Sequence, residues 1–169
     1  MTTNTKPTLA VTGASAVFGQ WGPFMDRVAD GEDVIITYSR EHGRDQGRSV
    51  SSEVRCIAIS VGRYKELAEN DPRPVPVDEI GSYKARQTIS TLAANIMTGA
   101  QEGQPIHYNI FFKRQEASVR HRQGRRQELK AQPGYPRAYL VSARWYCQRA
   151  GLDLADLEKF ALATRGTTN

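Results

Sequence analysis

One ten-residue pattern occurs twice in the 169-residue chain and constrains its fold more than any other feature. Residues 55–64 read RCIAISVGRY and residues 137–146 read RAYLVSARWY. Each copy begins with an arginine, passes through mostly apolar residues to a serine, and ends on a tyrosine four positions after that serine. An apolar run followed by a serine N-cap is typical of a buried strand that leads into a helix. The pattern therefore predicts the same strand-to-helix unit at two places in the chain.

The segments before the two copies indicate that a whole unit is repeated. In the first half a short β-prone run is followed by a helix ending near Gly31, a strand over 32–40 and a polar hairpin tip over 41–54. In the second half a helix over 79–103 and a strand over 104–114 follow in the same order, at an offset of 72 residues, while the ten-residue pattern returns at an offset of 82. Insertions are tolerated best in loop tips. The sequence therefore predicts an α+β fold with two β-α-β-β-α repeats, the second with a hairpin ten residues longer.

Local features of the repeats lead to more detailed expectations. Ser15 is a candidate N-cap for the first helix, and Pro23 indicates a kink or a restart of that helix, with the proline in a first turn. Tyr64 and Tyr146 are expected to pack at their strand-to-helix junctions. The two tryptophans are expected in the core or between the repeats, and the two cysteines as buried thiols. These residues are Trp21, Trp145, Cys56 and Cys147.

A proline-rich segment divides the chain. Residues 71–78 favour an extended, stiff spacer. This gives a first repeat over 1–70, a second repeat over 79–150 with the long basic hairpin, and a short C-terminal helix and tail over 151–169. A unit of about 70 residues has a marginal core when alone, so each repeat needs a partner. The C-terminal helix has two interpretations, packing on its own domain or docking onto a protein partner.

Charge is distributed unevenly along the chain, whose net charge is +5. Residues 1–76 carry 9 basic and 10 acidic side chains, a net charge of −1, whereas residues 77–169 carry 14 basic and 8 acidic side chains, a net charge of +6. A localised basic field indicates a polyanionic partner, most often nucleic acid.

Other classes of protein find no support in the sequence. There is no apolar run of membrane-spanning length and no signal-peptide pattern, so the expected location is cytoplasmic, without a membrane partner. The histidines and cysteines lack metal-ligand spacing, and no nucleotide-binding or hydrolase motif occurs. We therefore expect no cofactor, no metal and no enzymatic activity.

The order of these elements resembles the DNA-binding domain of the Phd/YefM antitoxins. The resemblance covers most of residues 8–150 and is carried by DRVADGEDVIIT before the second strand, by the S-x-x-x-Y stretches, and by IGSYKARQTIS at the helix start of the second half. It implies paired domains that bind operator DNA through the start of the first helix and the hairpin that follows. It also implies that a C-terminal segment folds onto a toxin, although this chain has only a short tail after residue 150. A tandem copy would form an intrachain pseudo-dimer, with further self-association left open.

The resemblance also assigns candidate DNA-binding residues. The helix-start arginine of the family falls on Arg86, with Lys84 as a phosphate contact on the same turn, and the first half has Ala14 at the position 72 residues earlier. A cation near a helix start is disfavoured by the helix dipole, so a phosphate or base contact would account for Arg86, the alternative being a solvated side chain. The basic hairpin position falls near Lys113 and Arg114 in the second half and near Arg40 in the first.

The two hairpin tips differ in charge. The second tip has basic residues opposed only by Glu116 and Glu128, and these are Arg120, Arg122, Arg125, Arg126 and Lys130. The first tip is near neutral, with Arg44 and Arg48 among three acidic residues. Arginines on a projecting tip can neutralise phosphates or enter a DNA groove, and the alternative is a solvated charged loop.

Two functions are compatible with these features. The first is a sequence-specific repressor or antitoxin-like regulator that binds double-stranded DNA and reads two unequal half-sites. The second is an antitoxin-type inhibitor that binds a toxin or another protein and has lost DNA binding.

Overall fold

A six-stranded mixed sheet runs through the middle of the molecule, with helices on both of its faces. The computed structural model describes residues 8–41, 50–112, 117–130 and 134–167. The sheet strands are β1 Thr8–Gly13, β2 Glu32–Glu41, β3 Val50–Ser60, β4 Val77–Gly81, β5 His107–Phe112 and β8 Tyr135–Val141. A separate hairpin is formed by β6 Ser118–Arg122 and β7 Arg125–Leu129. The helices of these residues are α1 Ala14–Gly19, α2 Trp21–Ala29, α3 Val61–Ala68, α4 Ser82–Gln87, α5 Ile89–Gln101, α6 Ala143–Ala150 and α7 Leu154–Thr167.

The sheet shows the same sequence of parallel and antiparallel strand pairs when it is followed from either edge. Its strand order is β1-β2-β3-β8-β5-β4, with parallel pairs at the two edges and antiparallel pairs between them. At the centre, Ala58 of β3 lies directly opposite Leu140 of β8. These two residues hold the same position in the repeated ten-residue pattern. A local two-fold axis between β3 and β8 would produce this pairing.

The helix of the first half restarts, as Pro23 predicted, and the second half contains one more helix than the sequence predicted. The first expected helix is two helices that meet at Gln20, and the second is interrupted in the same way at Thr88, where φ is −127° and −120° respectively. Pro23 lies in the first turn of α2, as expected. Ser15 is not the N-cap, because α1 begins one residue earlier and Gly13 holds the cap position. The expected helix start at 79 is also wrong, because Val77–Gly81 forms a strand parallel to β5.

The offset between the halves is not constant, which corrects the predicted value of 72. It is 68 between the first residues of α1 and α4, Ala14 and Ser82. The offset is 74 between β2 and β5. It is measured from the register shift of each strand, which follows Ile36 in β2 and Ile110 in β5. Helix α5 has 13 residues and α2 has 9, a difference of about one helical turn. A helical turn added to α5 leaves its apolar face unchanged, so the apolar pattern alone predicts the whole insertion in the hairpin.

The arginine and serine of the repeated pattern have the same roles in both halves. Ser60 and Ser142 are N-caps, as predicted, and accept hydrogen bonds from the backbone of Arg63 at 3.1 Å and Trp145 at 3.3 Å. The arginines Arg55 and Arg137 each occupy the extra position of a β-bulge. Their guanidinium groups lie over aromatic rings of the neighbouring strands, at 4.7 Å from the Tyr38 centroid and 5.1 Å from that of Phe112.

The tyrosines of the pattern reach across the centre of the sheet. The Tyr146 hydroxyl, in the second half, donates a hydrogen bond to the buried Asp33 carboxylate of the first, which also accepts from Arg63 Nε at 3.3 Å. Tyr64, in the first half, stacks on Tyr139 with ring centroids 3.9 Å apart and meets the edge of His107 at 6.1 Å. The tyrosines therefore pack in the core beside their own strand-to-helix junctions, as predicted, and also join the two halves.

Apolar side chains form one core on each face of the sheet. Helices α1, α2, α4 and α5 cover one face, and α3, α6 and α7 cover the other. Leu157 and Ala161 of α7 are buried in the second core, and the helix lies against β1 and β3 as well as α6. The expectation that it packs within its own domain is therefore incomplete, because α7 joins both halves. The two cysteines are buried and free, as predicted. Among the described residues, no helix has the length and apolar character needed to cross a membrane.

The two equivalent tyrosines provide a matched stability test. Replacing Tyr146 by Phe removes a hydrogen bond from the buried Asp33 carboxylate, so we expect a loss of about 1–3 kcal/mol in the free energy of unfolding. Replacing Tyr64 by Phe removes a hydroxyl that has no partner among the described residues, so the change should stay within about 0.5 kcal/mol. Urea unfolding of both variants measures the difference. Equal losses would contradict the contact across the centre.

His107 predicts acid sensitivity. Its side chain is fully buried without a hydrogen-bond partner among the described residues, and burial lowers its pKa from 6.5 to about 4. The unfolded chain therefore binds more protons between these values, and stability is present above pH 6.5 and lost as pH falls toward 4, by up to about 3 kcal/mol. Replacing His107 by Phe should flatten this dependence in urea unfolding at several pH values.

The control for this test is the exposed His121, whose replacement by Gln should leave the slope unchanged. Burial raises the pKa of Asp33, against the lowering effects of Tyr146 and Arg63, so its contribution has the opposite sign and is lost as pH rises above 3.8. Asp33 is present in all three proteins, so the difference between their slopes reports His107. An unchanged slope in the His107→Phe variant would exclude this role.

Candidate nucleic-acid interface

The sheet directs its two hairpin connections to opposite ends. Strands β2 and β5 run antiparallel to each other, because each is antiparallel to one of the two central strands, which are themselves antiparallel. Strand β1 is parallel to β2, and β4 is parallel to β5. The short helices α1 and α4 therefore each begin at the end of the sheet where the hairpin of the same half leaves it. Within each half, the helix and the hairpin that are predicted to contact DNA therefore lie at the same end of the sheet.

The counterpart of Arg86 in the first half is Phe18, which corrects the assignment to Ala14. With the structural offset of 68, Ala14 corresponds to Ser82, and Arg86 is the fifth residue of α4. Arg86 lies in the last turn of that helix, so the expectation of a cation near a helix start is also wrong. The dipole favours a cation there.

Arg86 connects the two halves. Its Nε donates a hydrogen bond to the Phe18 carbonyl oxygen at 3.0 Å, and its guanidinium lies 5.1 Å from the centre of the Phe18 ring. Nearby, the Trp21 indole donates to the Ser82 hydroxyl at 3.0 Å. Trp21 therefore lies between the halves, as expected. The guanidinium retains further N–H donors and is partly exposed.

The helix α4 has larger polar side chains than α1. Lys84 is exposed, and Tyr83 beside it is 76% exposed. The corresponding residues of α1 are Ala16 and Ser15. Only the helix of the second half therefore presents long hydrogen-bonding side chains on this surface, among the described residues of the two helices.

The β6–β7 hairpin holds the predicted arginines in a defined arrangement. Its turn has positive φ at Gln123 (54°) and Gly124 (73°), which is typical of a two-residue type I′ turn. The register pairs Arg122 with Arg125 directly opposite. Because side chains alternate along a strand, Arg120 lies on the same face as this pair. The sequence predicted only a hairpin tip here, and the structure resolves it into two strands.

The arginine face of the hairpin, formed by Arg120, Arg122 and Arg125, lacks a carboxylate among the described side chains. Arg120 Nε donates to the Gln127 side chain at 3.0 Å. On the opposite face Arg126 is 3.7 Å from Glu128. Like charges directly opposite each other destabilise a strand pair. A polyanion bound to the arginine face would remove this repulsion.

The structure places only some of the other predicted residues. Lys130 is exposed directly after β7. Arg40 lies in β2, but its side chain is outside the described residues. Four further predicted contacts also lie outside them, namely Lys113, Arg114, Arg44 and Arg48.

Arg55 and Arg137 have a positioning role that the sequence analysis missed. They lie at the bulges where the hairpins leave the sheet. Arg137 also pairs with Asp26 at 3.5 Å, and Arg55 with Glu53 at 3.3 Å. A bulge bends its strand and increases its twist, so these residues determine the direction of the hairpins. Their identical place in the repeated pattern was the available signal.

The described residues contain no group of three or more histidine, cysteine or acidic side chains that could hold a metal ion. The buried Asp33 carboxylate contacts Tyr146 of the other half and Arg63 of its own half through one of its two oxygens. In comparisons with models of protein families, with curated proteins and with solved structures, nothing matches this chain.

Proposed function

We propose that the chain is a sequence-specific DNA-binding regulator, a single-chain pseudo-dimer of two Phd/YefM-like repeats. The arginine face of the β6–β7 hairpin carries this proposal. Its three cations lie on one face, and two of them are directly opposite each other. Such a face gains most from a ligand with closely spaced negative charges, and the DNA backbone supplies about one charge per 1.7 Å of helix axis.

The arrangement of the two halves supports the pseudo-dimer. A two-fold axis between the halves would account for the pairing of Ala58 with Leu140 and for the contact of Arg86 in α4 with Phe18, its counterpart in α1. Paired DNA-binding domains read half-sites related by a two-fold axis. Because α4 and α1 differ in their side chains, the two half-sites would be read unequally, with α4 making the base contacts.

Inhibition of a toxin or another protein remains the second proposed function, and the C-terminal helix bears on it. Leu157 and Ala161 of α7 pack into the chain's own core, whereas Leu162 is 53% exposed. Part of the apolar surface of this helix is therefore occupied within the chain, and part of it is exposed. Purification from the native host distinguishes the two functions, since a co-purifying protein in place of DNA would favour the inhibitor.

Neutralising the opposed arginines should weaken DNA binding and its salt dependence. In the Arg122→Gln/Arg125→Gln variant two phosphate contacts are lost, so the slope of log K against log salt concentration should become shallower by about 2. The measurement is fluorescence anisotropy with a random-sequence duplex at several salt concentrations.

The matched control is the Lys65→Gln/Lys159→Gln variant. It removes the same charge from exposed positions on α3 and α7, which cover the face of the sheet away from α4. Its slope should equal that of the unmodified protein. If both variants lower the slope equally, general charge attraction explains the binding and the hairpin has no special role.

Arg86 should contribute to specificity. Replacing Arg86 by Ala should weaken binding to a duplex selected from a random pool by about 1–3 kcal/mol while changing non-specific binding much less. Replacing Lys84 by Ala should weaken both by a similar factor, because a phosphate contact carries no sequence information. Competition between the selected and a random duplex gives the ratio of specific to non-specific affinity.

Arg86 also joins α4 to α1, so its variant is first tested by urea unfolding and compared at a temperature where it is fully folded. An unchanged ratio of specific to non-specific affinity in the folded Arg86→Ala variant would exclude base reading by this residue. Absence of any DNA binding at low salt would refute the proposed function itself.

A further inference from the structure

A cavity of about 420 Å³ lies beneath the segment that joins the two halves. It is bounded by that segment after α3, by the end of α5 with the loop that follows, and by α6. All of its lining residues belong to the described part of the chain. The volume lies in the range of about 300–1,000 Å³ that small-molecule sites occupy.

The apolar part of the cavity is formed by Trp145 together with Val75, Pro72 and Pro105. The Trp145 ring is held in place from several sides. Its indole N–H donates to Asp71 at 3.4 Å, the Tyr64 ring stacks on it at 5.5 Å, and His107 meets its plane at 4.8 Å. Trp145 is 8% exposed, so a small part of this firmly held ring contributes to the apolar wall of the cavity.

The charged part of the cavity is strongly basic. Three arginines and one acidic residue line it, namely Arg73, Arg144, Arg149 and Asp71. The Asp71 carboxylate is already occupied, because it pairs with Arg149 and accepts from the backbone N–H of Arg73 at 3.0 Å. The guanidinium groups of Arg73 and Arg144 have no ion-pair partner among the described residues. Two positive charges therefore remain uncompensated beside an apolar surface.

We propose that this cavity binds a small organic carboxylate with an apolar body. The carboxylate would accept hydrogen bonds from Arg73 and Arg144, since the guanidinium fork matches the two oxygens of a carboxylate. The apolar body would lie against Trp145 and the two prolines. A purely inorganic anion would leave this apolar surface unused, and a neutral ligand would leave the two arginines unpaired.

The site lies away from the arginine face of the β6–β7 hairpin. Arg144 follows the C-terminal end of β8, whereas that hairpin precedes the N-terminal end of the same strand. A ligand here would hold the joining segment against α6 and would stabilise the folded chain by RT ln(1 + L/Kd), which rises with the free ligand concentration L.

Trp145 provides a direct readout. We would titrate the Trp21→Phe variant, in which Trp145 is the remaining tryptophan, with benzoate, and with benzamide as the neutral molecule of the same shape. Benzoate should change the Trp145 emission saturably and raise the melting temperature, whereas benzamide should do neither at the same concentration. The same pair is followed in the unmodified protein by ligand-observed NMR, which does not depend on the Trp21 substitution.

The arginines are tested by substitution. The Arg73→Gln/Arg144→Gln variant should bind benzoate about tenfold or more weakly, the loss expected for charge-assisted hydrogen bonds. The Lys65→Gln/Lys159→Gln variant removes the same charge elsewhere and should bind benzoate unchanged. Three results would each overturn the proposal. Benzamide could bind as well as benzoate, the double arginine variant could bind benzoate as tightly as the unmodified protein, or benzoate could fail to bind in both assays.

Discussion

The pairing of β3 with β8 is the interaction on which the rest of the structure depends. It consists of four residue pairs, Ile57–Ser60 against Ala138–Val141, and it makes one sheet out of two three-stranded halves. Four pairs are a short seam for two halves with marginal cores of their own. The side chains that cross it therefore matter. Tyr146 reaches Asp33, Tyr64 reaches His107, and α7 of the C-terminal segment lies on the strands of the first half.

The two halves share the residues that shape the bulges and helix caps, and they differ at one buried position of the sheet. Both have a bulge arginine over an aromatic ring and a serine cap. Across the seam, however, Asp33 in one half corresponds to His107 in the other, one hydrogen-bonded by a tyrosine and the other enclosed by aromatic rings. The two halves therefore bring different buried side chains to the seam, a carboxyl group in one half and an imidazole in the other.

The sequence predicted the parts of the fold that depend on local patterns. The serine caps and the proline in a first turn follow from residues within a few positions of each other. The strand over Val77–Gly81 was missed because the charged Asp78 and Glu79 lie in it, and only its pairing with β5 makes it a strand. The extra turn of α5 could not be recognised from the apolar pattern, because four added residues make about one helical turn and leave the apolar side chains on the same face. In the candidate site, the basic hairpin could be predicted from its composition. That Arg122 lies directly opposite Arg125 depends on the turn geometry at Gln123 and Gly124, which the structure shows.

That opposition has a physical consequence for how the hairpin could work. A free two-stranded hairpin is marginal in water, and an arginine pair across it lowers its stability further. The root of the hairpin compensates in part, because Phe112 and Tyr135 stack at 5.5 Å and the Arg137 guanidinium covers the Phe112 ring. The aromatic root keeps the strands together, while the distal part holds repelling charges. A polyanion would replace the repulsion between Arg122 and Arg125 with attraction, because its phosphates would lie between the two guanidinium groups. In the proposed function the hairpin would thus gain order on binding DNA.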